Sequence, residues 1–97
     1  MTDTDPVRPT PSDLEVLHVP ERSTFVIEWN GEVVGQADYR RAGDQAIFTH
    51  TEIASVHRGK GLAEELVRHA VDYVRKEGLT PVGQCWYVAD YLRAHPD

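Results

Sequence analysis

From Leu14 to Ile53 apolar and polar positions alternate with a period of two, the spacing of strands that bury one face. Leu14, Val16 and His18 share one side of a first strand. The run Ser23-Thr24-Phe25-Val26-Ile27-Glu28-Trp29 is rich in β-branched and aromatic residues and reads as a second. Asn30-Gly31 follows it directly; both residues tolerate positive φ, which a type I′ hairpin turn demands. A third strand is predicted over Glu32 to Arg40, a turn at Ala42-Gly43-Asp44, and a fourth strand over Gln45 to Ile53. The first half is thus expected to be an antiparallel meander. Simple alternation puts Phe48, His50 and Glu52 on one face of the fourth strand.

The period then changes to 3.6. Between Gly61 and Glu77, Ala63, Val67, Ala70 and Val74 form one stripe, widened by Leu62, Leu66 and Tyr73. Glu64 with Arg68, and Asp72 with Lys76, are spaced to form i,i+4 ion pairs on the wet side. Gly78 stands where a left-handed C-terminal cap belongs. Thr80 to Cys85 predicts a fifth strand, with Pro81 at its start or edge. Val88 to Ala94 predicts a short last helix, stopped by His95-Pro96. The fold class is α+β (mixed α/β). A strand–helix–strand crossover places the fifth strand parallel to the fourth.

Length and charge narrow the partners. The 97 residues fit one domain, taken as residues 13–97 behind a flexible tail at 1–12 rich in Thr, Asp, Pro and Ser. A formal net charge of −6 disfavours nucleic acid, whose phosphates are held by clustered Lys and Arg. No stretch is apolar enough to span a bilayer, so no membrane partner is expected. The single cysteine, Cys85, permits neither an internal disulfide nor a multi-cysteine zinc site, and a cytoplasmic setting is expected. The histidines show no ligand spacing with carboxylates, so no metal is expected.

The segment Arg58-Gly59-Lys60-Gly61-Leu62-Ala63 lies between the fourth strand and the long helix. The first amides of a helix lack internal partners and carry the positive end of its dipole. Glycines let a phosphate approach the backbone, and Arg58 and Lys60 add full positive charge. The spacing is neither that of a P-loop nor that of a dinucleotide-binding fingerprint. The plain alternative is a glycine turn with two solvated cations.

These six residues fit the R/Q-x-x-G-x-G/A signature of the GCN5-related N-acetyltransferases. His50-Thr51-Glu52-Ile53, then the glycine loop, then Cys85 followed by an aromatic, and a terminal His-Pro resemble the family's minimal members of about 100 residues. The resemblance spans roughly residues 45–96. It implies an acetyltransferase that uses acetyl-CoA as cosubstrate. It further implies that Ile53 and Ala54 border the pantetheine arm, and that Arg58, Gly59, Lys60, Gly61, Leu62 and Ala63 hold the pyrophosphate. Larger relatives carry helices between their first two strands; Val19-Pro20-Glu21-Arg22 leaves no room for them, so the acceptor side is expected to be open or completed by another molecule.

Acetyl transfer needs a base, a stabilised carbonyl oxygen and a proton for the departing thiolate. His50 and Glu52 are the candidate bases. The resemblance points to Cys85, where a strand ends and a helix begins, as a nucleophile or a thioester neighbour. Tyr87 is the candidate acid, with Tyr91 behind it. Each has a plainer reading: a satisfied strand histidine, a solvated carboxylate, a small buried cysteine, packing tyrosines. Beside the enzyme stand two other possibilities, a non-catalytic CoA-binding module and an interaction domain whose loop binds nothing. The acceptor, an amine or a protein, is not identified by sequence, and a monomer or weak dimer is expected.

Overall fold

The computed structural model describes residues 13–96; the tail expected over residues 1–12 lies outside them. Four strands, β1 (Leu14–Val19), β2 (Thr24–Trp29), β3 (Glu32–Ala42) and β4 (Gln45–Ile53), lead to helix α1 (Leu62–Lys76), strand β5 (Thr80–Gly83) and helix α2 (Trp86–Ala94). They form one sheet in the order β1-β2-β3-β4-β5. The first four strands are antiparallel, and β5 runs parallel to β4. This is the expected mixed architecture. The β2–β3 hairpin turns on Asn30 and Gly31, both at positive φ. Between β1 and β2 there is only a single 3-10 turn, Pro20–Arg22.

Helix α1 buries Leu62, Leu66, Val67, Ala70, Val71 and Val74 against the sheet. Each of the five larger side chains contributes about 1.5–3 kcal/mol by leaving water. Their partners are Phe25, Ile27, Ala37, Ala46, Phe48 and Ile53 from the strands and Val88 from α2. Gly78 closes the helix at φ +80°. The ion pairs on its wet side differ from those expected. Glu65, not Glu64, takes Arg68 at 2.7 Å and His69 at 3.0 Å, and among the described residues Asp72 and Lys76 form no ion pair. Arg68 has one guanidinium to commit, and Glu65 lies within its reach at i−3.

The alternation along β4 is broken. Asp38 pairs with His50 and Tyr39 with Phe48, so Thr49 is an extra residue with no partner on β3. Such a bulge flips the side-chain order. Phe48 is therefore buried on the helix face, while His50 and Glu52 are exposed on the other. The expectation that the three share a face is corrected; beyond the bulge Thr51 and Ile53 face the helices.

The end of β5 is also corrected. The strand stops at Gly83, not Cys85, because Gln84 and Cys85 both turn their N–H groups onto the Phe48 carbonyl, at 2.9 and 3.1 Å. Helix α2 consequently starts at Trp86, two residues before the expected Val88, with Cys85 as its N-terminal flanking residue. It packs so closely on β5 that a Cβ at Gly83 would strike the backbone of Val88 and Ala89. Gly83 and Val88 both lie on the α1 side, so the two helices cover one face of the sheet. Among the described residues no element covers the other face.

Candidate active site

The β4–β5 ladder ends at the Phe48–Gly83 pair. Among the described residues, no strand lies beside the β4 edge from Thr49 to Ile53 on the α2 side. The gap opens into a cleft of about 540 Å³ lined by His50, Thr51, Glu52, Ile53, Arg58, Ala63, Trp86 and Tyr87. The bulge makes this cleft two-sided: Thr51, Ile53 and Ala63 belong to the helix side, His50 and Glu52 to the open side.

At one end of the cleft stands the N-terminus of α1. Gly61 flanks it in the left-handed region, φ 79° and ψ 10°, and no side chain caps it. The first helical bond runs from the Glu65 N–H to the Gly61 carbonyl at 3.2 Å. The amides of Leu62, Ala63 and Glu64 precede that bond and are left for an outside acceptor. Gly59 is likewise at φ +81°. A Cβ at either glycine would meet nothing within 4 Å, so these glycines are required by the turn and not by crowding.

The two cations of the loop part company. Arg58 lies at the cleft and donates from Nε to the Ile53 carbonyl at 3.3 Å. Lys60 points away, 4.9 Å above the Trp29 ring and 3.4 Å from His57 Nδ1. His57 sets its ring edge on Trp29, with centroids 5.2 Å apart. Of the other expected binding residues, Leu62 is in the core and can offer only its backbone. Ala54 does not line the cleft; its N–H bonds Val34 on the β3 side at 2.9 Å.

The four expected catalytic residues all reach this region. His50 Nε2 and Glu52 Oε1 are 3.2 Å apart, with side chains 57% and 61% exposed. Cys85 is half-buried, and its Sγ lies 3.4 Å from Thr51 Oγ1. Tyr87 lines the cleft, and its phenol pKa is raised above 10.0, first by burial and then by the negative charges of Glu64 and Asp90. It therefore keeps its proton at neutral pH. Tyr91 stacks on His95, with centroids 4.2 Å apart and planes at 17°, in a packing role.

Sequence reasoning missed Thr51, which sits beside Ile53 in parity and touches the thiol. Trp86 stands exposed at the cleft mouth, 76% accessible. Among the described residues no group of three His, Cys, Asp or Glu is placed to hold a metal.

An unpaired strand edge thus leads to an uncapped, glycine-flanked helix end, whose free amides can donate to an anion. A GCN5-related N-acetyl-transferase family model matches residues 24–97, and the chain belongs to that family. It is 31% identical over 85 residues to Protein NATD1 of Gallus gallus, covering 86% of this chain and 77% of that one. The same protein of Homo sapiens is also 31% identical over 85 residues, covering 86% and 75%. Among solved structures, an IAA acetyltransferase from Bacillus cereus aligns at a TM-score of 0.53 and 26% identity, over 61% of this chain and 41% of that one. N-acetylglutamate synthase from Neisseria gonorrhoeae, complexed with coenzyme A and N-acetyl-glutamate, aligns at 0.54 and 18% identity. That alignment covers 66% of this chain but only 18% of the synthase. These solved structures thus share the fold and are much longer proteins.

Proposed function

We propose that this protein transfers the acetyl group of acetyl-CoA to an amine. The observation that carries the reading is the continuity of the cleft, from the unpaired β4 edge beside Tyr87 and Cys85 to the free amides at Gly61. A pantetheine arm carries amides that match the exposed edge of Thr49 to Ile53. The diphosphate suits the amides of Leu62 and Ala63, with Arg58 swinging from the Ile53 carbonyl to add its charge. Lys60, held over Trp29, serves the more distant phosphate end.

Glu52, with His50 beside it, takes the proton of the acceptor amine as nitrogen attacks the thioester carbonyl. The C–N bond forms, the C–S bond breaks, and Tyr87 gives its proton to the departing thiolate. A second route is favoured by the position of Cys85, at the start of α2 with the Thr51 hydroxyl on its sulfur. In that route Sγ accepts the acetyl group first and passes it to the amine.

The test has two stages. Acetyl-CoA at micromolar to millimolar concentration should raise the melting temperature, since it binds the folded chain alone. Thiol release should then follow on addition of a panel of amines. An unmoved melting point would overturn the reading. Binding without turnover on any amine would make the protein a CoA-binding module instead. Cys85→Ala separates the routes: loss of turnover with CoA binding kept supports the acetyl-cysteine, whereas full activity selects direct transfer.

A further inference from the structure

The bulge at Thr49 puts Thr51 and Ile53 on the helix side of the sheet and His50 and Glu52 on the other. With the donor on the helix side, as proposed, the acceptor arrives across the uncovered face, where His50 and Glu52 project. That face is not featureless. Asp38 on β3 is the cross-strand partner of His50. Its carboxylate is fixed by two donors on the same oxygen: Thr24 Oγ1 at 2.7 Å and Gln36 Nε2 at 3.0 Å from Oδ1. Thr24 is only 6% exposed, so its hydroxyl is a rigid anchor. Asp38 itself is half-buried. Its Oδ2 receives no hydrogen bond, and the carboxylate forms no ion pair, among the described residues.

On the reading that this is an acetyl-CoA-dependent amine acetyltransferase, we infer that Asp38 selects the acceptor: it holds a second, permanently protonated ammonium while the reacting amine is deprotonated at Glu52 and His50. An oriented carboxylate with one bare oxygen suits an ammonium donor. The reacting nitrogen gives its proton to Glu52 and His50, so the charge that Asp38 holds is a different one. Opposed antiparallel residues lie about 4.5–5.5 Å apart and diagonal neighbours about 7–8 Å. Two nitrogens separated by about four methylenes, on the order of 6 Å from ordinary bond lengths, span that interval. The substrate class is therefore an aliphatic diamine. The wall-less face leaves the distal ammonium as its principal handle.

Asp38→Asn tests this directly, because the amide oxygen still accepts from Thr24 and Gln36 while the charge is gone. The probes are 1,4-diaminobutane and the matched monoamine, 1-aminobutane. Wild-type kcat/KM should favour the diamine, and the Asp38→Asn variant should lower that preference about tenfold, almost wholly through KM. Activity on the monoamine and the melting temperature should stay near wild type. A purely structural Asp38 would depress both amines equally, and that result, or a wild type that prefers the monoamine, overturns the inference. A second arm needs no turnover. 1,4-Diaminobutane should raise the melting point of the CoA-loaded wild type more than that of Asp38→Asn, and equal shifts overturn the inference. A lysine peptide that outcompetes the diamine would also overturn it, assigning the face to a protein acceptor. Asp38-dependent diamine binding with no acetyl transfer to any amine would sink the proposed reaction and leave this assignment standing.

Discussion

Gly83→Ala tests whether α2 is seated as described. The added Cβ would lie 2.6 Å from Ala89 Cα and 2.9 Å from Val88 C, and closer still to the Ala89 nitrogen. All three atoms are helix backbone, so no rotamer change relieves the clash. Recovering a 3.4 Å spacing at Ala89 Cα alone requires a shift of about 0.8 Å, the difference between the two distances. Overpacking of this kind costs about 1–3 kcal/mol. In a domain of this size 1 kcal/mol moves the melting point by about 4–8 °C, so a fall of roughly 4–24 °C is expected by thermal circular dichroism. The same displacement carries Cys85 and Tyr87 away from Thr51 and the β4 edge, so turnover should fall further than the folded fraction does. A variant that melts and turns over like wild type would refute the close packing of α2 on β5.

At Gly61 the constraint is conformational, not steric. Gly61→Ala should cost about 1–2 kcal/mol from the left-handed backbone, while Gly61→Asn, which tolerates that region, should melt closer to wild type; equal melting points would contradict the φ of +79°. Glu65 supplies a pH dependence. Although burial raises its pKa, its hydrogen bonds to Arg68 and His69 win, and the net value falls below 4.5. A depressed carboxylate stabilises the fold above its unfolded pKa, and that contribution is lost as pH falls through the folded value. Melting curves of Glu65→Gln between about pH 3 and 7 should therefore decline less on the acid side than wild type, and parallel curves would reject the role. Thr51→Val should slow alkylation of Cys85 by about two- to tenfold through loss of one hydrogen bond to sulfur, measured with iodoacetamide; an unchanged rate would sever the contact.

Much of the architecture was legible because its burial is one-sided. A sheet covered on a single face writes period two plainly into Phe25, Ile27 and Ala37, and α1 writes 3.6 just as plainly. The bulge was not legible. Thr49-His50-Thr51-Glu52 is polar throughout, so no apolar residue marks the change of parity before Ile53. The start of α2 was hidden for a related reason: Trp86 and Tyr87 suit a strand by type, and only the capture of two amides by the Phe48 carbonyl ends β5. The glycine turn before α1 was readable from its spacing, and both glycines stand at positive φ. Its two cations look equivalent in sequence, yet only Arg58 lies at the cleft, because Trp29, some thirty positions away, claims Lys60. Asp38 gave no local signal at all, since its anchor Thr24 comes from another strand.

The uncovered face carries polar side chains on which the interior does not depend. Positions such as Gln36, Asp38, His50 and Glu52 contribute little to the interior, so they are free to change without endangering the fold. Under the proposed function, acceptor preference can shift there by surface substitution alone, with the helix side left unchanged.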